Sequence, residues 1–334
     1  MPVGNSSSGV GLFPGEVMFT MNGNFQYIDW SHDKVELEPF DHFGTMETYL
    51  IIPGVTIGLT DYLNFSYSQV LGIRSMSWGP DSVSFHHRDE STLTDYINSQ
   101  EFTQAIGGLL GDARFKLRYL YKNVGMKEGN RIYFGLGMLV PSKSVLTESP
   151  FLVMPADWPE DNEDWDGRHR HFSLSDGAYK GLLEFQLFHK RFTNPVFYGL
   201  TTNIEIPISE SKYEFMPGIS YSFVTSLLYN NNKYNSEKTF NLSPLGFTFG
   251  LSFVGITEAS WHGVPTPNSE SKILVPSFGA IWKLGKGSTS ILVQKPIFIS
   301  GAIGSDDNPL NNEANAFEIV FGYRRNLGYM IPWL

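Results

Sequence analysis

Three cations recur at alternate positions in one short segment, Arg114, Lys116 and Arg118. In an extended chain, side chains two positions apart share a face and stand about 7 Å from one another. Such a row either meets carboxylates in an ion-pair network or sorts solutes by charge along a confined path. Glu47, Glu184, Glu205 and Glu318 are the carboxylates on faces of matching phase. A second concentration of chemistry is the run Asp157-Trp-Pro-Glu-Asp-Asn-Glu-Asp-Trp-Asp166. Its Asp161, Glu163, Asp164 and Asp166 form a calcium candidate, because a hard cation collects several oxygens. The ordered spacing of an EF-hand is missing, and a solvated acidic loop is the plainer reading. His169 and His171 present two imidazoles to one side if extended, and His86-His87 is a weaker pair. Gly135-Leu-Gly137 lacks the third glycine of a dinucleotide fingerprint, and Pro141 stands where a helix would run. Gly285-Lys286-Gly287-Ser288 lacks the spacing of a phosphate loop and reads as a tight hairpin turn. No nucleophile, base and acid are spaced to cooperate, so the chain reads as a non-enzyme without a cofactor, calcium aside.

The elements that must carry these groups are strands. Apolar and polar residues alternate with period two, the strand signature. Ala113, Phe115, Leu117, Tyr119 and Tyr121 share one face, against Arg114, Lys116 and Arg118. Val17, Phe19, Met21, Phe25 and Tyr27 oppose Thr20, Asn22, Asn24 and Gln26 in the same way. The pattern predicts about twelve strands, near 16–30, 45–59, 62–76, 112–123, 131–141, 179–192, 196–207, 214–229, 241–255, 273–284, 288–299 and 314–325. They are long enough to cross a bilayer at a tilt, which takes about 9–11 residues.

The connections alternate in length. Long ones fall at 31–44, 77–111, 142–178, 256–272 and 300–313. Short ones fall at Thr60-Asp61, 124–130, Thr193-Asn194-Pro195 and Gly285-Lys286-Gly287. This is the layout of an outer-membrane barrel. One pair departs from it: 208–213 is short where a long loop is due, and 230–240 is longer than a turn needs. Aromatics fall near strand ends as interfacial girdles would: Trp30, Trp78 and Trp261 at the loop side, Tyr121, Phe192, Tyr229 and Tyr323 at the turn side. A soluble sandwich also alternates, but its wet face should be rich in Lys and Glu, whereas Ser, Thr, Asn and Gly dominate here.

Composition agrees. The 334 residues carry 17% charged and 15% aromatic side chains, no Cys and a net charge of −10. The acidic balance argues against a nucleic-acid partner. The lack of cysteine removes disulfide scaffolds, thiolate zinc sites and Cys nucleophiles. The longest charge-free stretch, Thr239–Thr257, is interrupted by Asn, Ser, Pro and Gly and does not suit a membrane helix. The first residues, MPVGNSSSGVG, have neither the basic nor the apolar region of a signal peptide, so the expectation is a chain numbered after a removed leader.

Several segments, in order, resemble a known family. They are Phe13-Pro14-Gly15-Glu16, GLTDYLNFSYS (Gly58 to Ser68), GDARFKLRY (Gly111 to Tyr119) and FGLGMLVPS (Phe134 to Ser142). GAYKGLLEFQLFHKRF (Gly177 to Phe192), FYGLTTNIEIP (Phe197 to Pro207), GVPTPNSES (Gly263 to Ser271) and FEIVFGYRRNL (Phe317 to Leu327) follow. In order and spacing the chain, from Phe13 on, resembles the outer-membrane transporter family named for the MetA pathway of phenol degradation. The resemblance implies an outer-membrane barrel that admits small organic molecules; it brings no set of substrate residues. The short 208–213 connection and the tail Gly328 to Leu334 depart from the usual pattern.

The expectation is an all-β protein: a single transmembrane antiparallel up-and-down β-barrel over 13–327, with a flexible segment 1–12 and a tail 328–334, in a bacterial outer membrane. Its partners are the lipid bilayer, lipopolysaccharide and a small-molecule solute, and a protein partner or homo-oligomer fits as well. Function reads as a channel for small molecules, hydrophobic or aromatic ones included. The alternative is a non-conducting barrel that serves as a scaffold in an outer-membrane complex. Arg74, Arg114, Lys116, Arg118, Glu184, Glu205, Glu318 and Arg324 are the expected pore-lining residues.

Overall fold

A computed structural model describes residues 11–32, 42–78, 109–123, 128–143, 145, 173–190, 196–230, 243–266, 269–301 and 313–334. Its strands are β1 Glu16–His32, β2 His42–Gly58, β3 Leu63–Trp78, β4 Leu110–Lys122, β5 Gly129–Val140, β6 Lys180–Lys190, β7 Val196–Pro207, β8 Phe215–Met216, β9 Ser220–Asn230, β10 Gly246–Ile256, β11 Ser260–Trp261, β12 Val264–Pro265, β13 Ser271–Leu284, β14 Gly287–Gln294, β15 Ile297–Gly301 and β16 Glu313–Met330. No helix among the described residues is long and apolar enough to cross a membrane. Antiparallel neighbours follow one another around the sheet, and β1 pairs with β16 from Trp30 opposite Ala314 to Met18 opposite Asn326. The sheet is thereby a closed barrel of twelve staves, β14 and β15 being two lengths of one. Closure leaves no bare sheet edge, the condition for a sheet that crosses lipid.

Period two decides which side chains meet the lumen. On β5, Phe134, Leu136 and Met138 point outward and are exposed, while Tyr133, Gly135 and Leu139 are buried inside. On β4, Leu117, Tyr119 and Tyr121 point outward, and Arg118 and Leu120 are buried. The outward row continues through Phe223, Phe249, Phe278 and Ile291, all exposed. An apolar belt of this extent, running around the whole barrel, requires lipid against it rather than water. Rings on neighbouring strands touch along the belt, as in Phe25 with Phe317 and Phe134 with Phe185.

Three expected strands differ. The strand 214–229 is split: β8 leaves the barrel and Pro217-Gly218 separates it from β9. The loop-end connection is therefore 208–219, longer than the expected 208–213. β8 joins β11 and β12 in a small second sheet built from two loop-end connections. The strand 288–299 is interrupted at Lys295-Pro296, where proline has no N–H for the ladder. The last strand runs to Met330 rather than ending at 325. At the turn end, Gly11 and Leu12 are described, and Leu12 is buried against Met18, so this part of the expected flexible segment is packed.

Two of the expected girdle tryptophans lie elsewhere. Trp30 shares its phase with the inward residues Gln26 and Ile28 of β1 and faces the lumen. Trp261 is buried in the second sheet, its ring tilted against Phe215 with centroids 5.0 Å apart. Tyr121 and Tyr229 do lie exposed at the turn end. The side chain of Trp78, and Phe192, fall outside the described residues.

Candidate functional site

The basic row of β4 points into the lumen, and β5 explains how it finds partners. Arg118 lies directly opposite Gly135, and Gly135 directly opposite Glu184 of β6. Two strand spacings, about 10 Å, separate the charged residues, and glycine leaves the gap open. Arg118 Nε donates to Glu184 Oε1 at 2.6 Å and its NH2 group to Oε2 at 3.2 Å. Lys116 Nζ donates to the same Oε2 at 2.8 Å. Gly137 plays the corresponding part for Lys116, because a Cβ there would stand 2.7 Å from Lys116 Cγ. Arg118 and Glu184 are about 1% and 2% exposed, so this pair is dry, and Lys116 at its edge is about 18% exposed. Gln186 and Tyr133, both fully buried, pack beside it on β6 and β5. One carboxylate thus serves two cations, and the desolvation cost is met by three charge-assisted hydrogen bonds.

Nearer the loop end, Arg114 reaches over β5 and β6 to Glu205 of β7 at 3.0 Å. The residues from Ser173 to Ala178 turn inward from the connection before β6: Ser173, Ser175 and Ala178 are buried, and Arg74 donates to the Ser173 carbonyl at 2.9 Å. Lys180 pairs with Asp176 of the same segment. Asp112 Oδ1 accepts the Ser142 amide at 3.0 Å. These groups and the second sheet line a partly open cavity of about 490 Å³. Its wall is mixed: Arg74, Arg114 and Glu205 share it with Met46, Phe298 and Trp261. The chemistry available there is binding. A few fixed charges orient a small solute, and apolar walls take its body.

The turn end is narrowed from below. Phe13-Pro14-Gly15-Glu16 is a tight turn closed by Glu16 N–H to Phe13 C=O at 3.0 Å. Gly15 adopts φ +76°, the position of a type II turn that follows proline and requires glycine. The turn aims Leu12 back into the barrel. A Cβ on Gly11 would meet Leu120 and the Tyr133 hydroxyl at 3.7 and 3.8 Å.

Of the expected pore-lining residues, Arg114, Lys116, Arg118, Glu184 and Glu205 come together in these two tiers, and Arg74 joins the cavity above them. Glu318 does not join them. It accepts from Gln26 on the adjacent strand, directly opposite in the register. Arg324 faces the lumen of β16 near the turn end, away from the row. Glu47 was expected inward and is not: it shares the outward phase of Phe43, Tyr49 and Ile51, and accepts from the Tyr49 hydroxyl at 2.7 Å. Asp161, Glu163, Asp164, Asp166, His86, His87, His169 and His171 lie outside the described residues. Among the described residues, no group of three or more His, Asp or Glu is placed to hold a metal ion. The second sheet with its Phe215–Trp261 ring contact and the inward segment at Ser173 had no sequence signal beyond loop composition. Lys180 and Asp176 did have one, an opposite-charge pair beside the polar face of a recognised strand.

No family model matches the chain. No curated protein matches it either. Among solved structures, an outer membrane channel from Pseudomonas putida F1 superposes with a TM-score of 0.56 at 11% identity, over 96% of this chain and 98% of the other. The toluene transporter TodX of Pseudomonas putida aligns over 94% and 90% at 9% identity with a TM-score of 0.41. A Pseudomonas aeruginosa FadL homologue aligns over 97% of both chains at 8% identity with a TM-score of 0.42. The latter two superpositions are too loose to carry a comparison of topology. The first shares the fold: a barrel of the outer-membrane type.

Proposed function

We propose that the chain is an outer-membrane channel that admits small organic molecules, within the transporter group named for the MetA pathway of phenol degradation. The observation that carries the reading is the partly open cavity of about 490 Å³ at the loop end of the lumen. Its size falls in the range of small-molecule sites, about 300–1,000 Å³. Its wall combines aromatic and aliphatic side chains with a few anchored charges, which suits a compact amphipathic or aromatic solute. The order of sequence motifs from Phe13 to Leu327 and the fold shared with the Pseudomonas putida F1 channel support the same reading. On this reading, solute that moves from the cavity toward the turn end passes the Arg114–Glu205 pair and the packed cluster below it, and side chains there move to admit it.

The test is uptake into liposomes that contain the purified barrel. Phenol-sized aromatic solutes should enter faster than sugars of equal mass, and Phe298→Asp, in the cavity wall, should reduce the difference. A protein that is folded and inserted by heat-modifiable migration, yet passes no small solute, would contradict the proposal and favour a barrel that serves as a scaffold.

A further inference from the structure

Charged side chains facing the lumen fall into two groups. Among the described residues, those toward the loop end and in the middle have partners, whether an opposite charge (Arg114 with Glu205, Lys116 and Arg118 with Glu184, Lys180 with Asp176) or a hydrogen bond (Glu318 with Gln26, Arg74 with the Ser173 carbonyl, Asp112 with the Ser142 amide). At the turn end, Lys283 and Arg324 differ. Lys283 follows Gly279 and Ile281 on the inward face of β13, whose outward face carries Phe278 and Leu284. Arg324 follows Val320 and Gly322 on the inward face of β16. Both stand directly opposite Ser288 of β14, one on each side. Two strand spacings set their backbones about 10 Å apart. Thr20, buried on β1, lies on the far side of Arg324. Among the described residues no carboxylate pairs with either cation, and both side chains are half-buried.

Two like charges on the same inward face, with one strand between them, repel one another, and low-dielectric walls strengthen the repulsion. An oxyanion between them removes it. The guanidinium grips two oxygens at once, the ammonium adds a point charge, and the Ser288 and Thr20 hydroxyls are donors on the same surface. We infer that Lys283 and Arg324, with Ser288 between them, form a binding site for a small oxyanion, a carboxylate or a phosphate, just inside the turn-end mouth. As the last step of a path through the lumen, it would give anionic solutes a foothold after the matched tiers above. That role rests on the channel reading; the site itself does not.

Calorimetric titration of the parent protein in non-ionic detergent at low salt tests it, with sodium benzoate, inorganic phosphate and neutral benzyl alcohol as probes. Benzoate, phosphate or both should bind the parent. K283Q/R324Q should weaken that binding about tenfold, as for loss of a charged contact, and leave benzyl alcohol unaffected. K283R/R324K should retain it. The single variants K283Q and R324Q each show a partial loss and stand in if the double variant does not fold. Preference for benzoate marks the carboxylate of an organic solute, and preference for phosphate marks a free or headgroup phosphate. A parent that binds neither anion, or a double variant that binds them as well as the parent, overturns the site. Ion conductance in planar bilayers separates the two ideas. A parent that conducts without binding either anion loses the site and keeps the channel. A parent that binds an anion and never conducts loses the channel and keeps the site.

Discussion

A Cβ placed on Gly135 would stand 2.8 Å from the Cβ of Glu184. The missing side chain on β5 is thus what lets a carboxylate on β6 lean across to Arg118 on β4. Gly135→Val should push Glu184 off its partners and leave two buried cations without their carboxylate. Breaking such a cluster costs about 3–5 kcal/mol. The measurement is the denaturant midpoint of the folded, heat-modifiable band. A midpoint equal to the parent's would mean that the cluster adjusts without loss.

Removing the whole cluster should be milder than removing one member. Glu184→Leu alone strands Lys116 and Arg118, whereas Lys116→Met, Arg118→Leu and Glu184→Leu together leave an apolar patch of similar volume. The triple variant should recover much of the roughly 3–5 kcal/mol lost by the single one. Equal loss in both would mean that the three charges do not act as a unit.

The Arg114–Glu205 pair has a different standing. Arg114 is about 40% exposed, and a wet pair contributes on the order of 0–1 kcal/mol. Arg114→Ala with Glu205→Ala should leave stability nearly unchanged and widen the floor of the cavity. Under the channel reading, single-channel conductance rises. Unchanged conductance would place the narrowest point at the buried cluster below.

The two faces of the wall should differ in tolerance. Leu136→Arg and Phe223→Arg put a cation on exposed apolar positions and should cost roughly 2–4 kcal/mol near the bilayer midplane. Ser222→Thr, on the inward face of β9, should be close to neutral. Refolding yield into lipid vesicles reads both, and equal tolerance would contradict the apolar belt as a lipid contact.

How far the sequence carried the reading depends on what each residue needed. Arg114, Lys116 and Arg118 were legible because alternation is local: their own strand places them on the face opposite Leu117 and Tyr119. Their partners were legible only as a set: phase marked Glu47, Glu184, Glu205 and Glu318 as candidates, and which of them meet the row depends on which strands lie two and three away, where the barrel places Glu184 and Glu205. Glu318 was placed on the right face but given the wrong company. Its partner Gln26 is a neighbour only because the barrel closes, and closure leaves no local mark. Glu47 failed for another reason. It lies near the loop end of β2, among residues where polar and apolar types no longer alternate cleanly. Trp261 could not be placed because it belongs to a sheet formed between two connections, where neither the period of a strand nor the chemistry of a turn applies.

The pairing of β1 with β16 also imposes an order in time. Gln26 and Glu318 are separated by 292 positions, whereas most of the other staves pair with the one just before them in the chain. Those hairpins form from local encounters, but the closing seam must wait for the last stretch of chain to arrive. Contacts of such long range are slow to form. Until Glu313–Met330 docks, the sheet has two open edges, each a template for a strand from another molecule. The interval between making β1 and supplying its second neighbour is therefore when this chain is most exposed to joining with a copy of itself, and slowing that last docking should raise aggregation before it lowers the stability of barrels already closed.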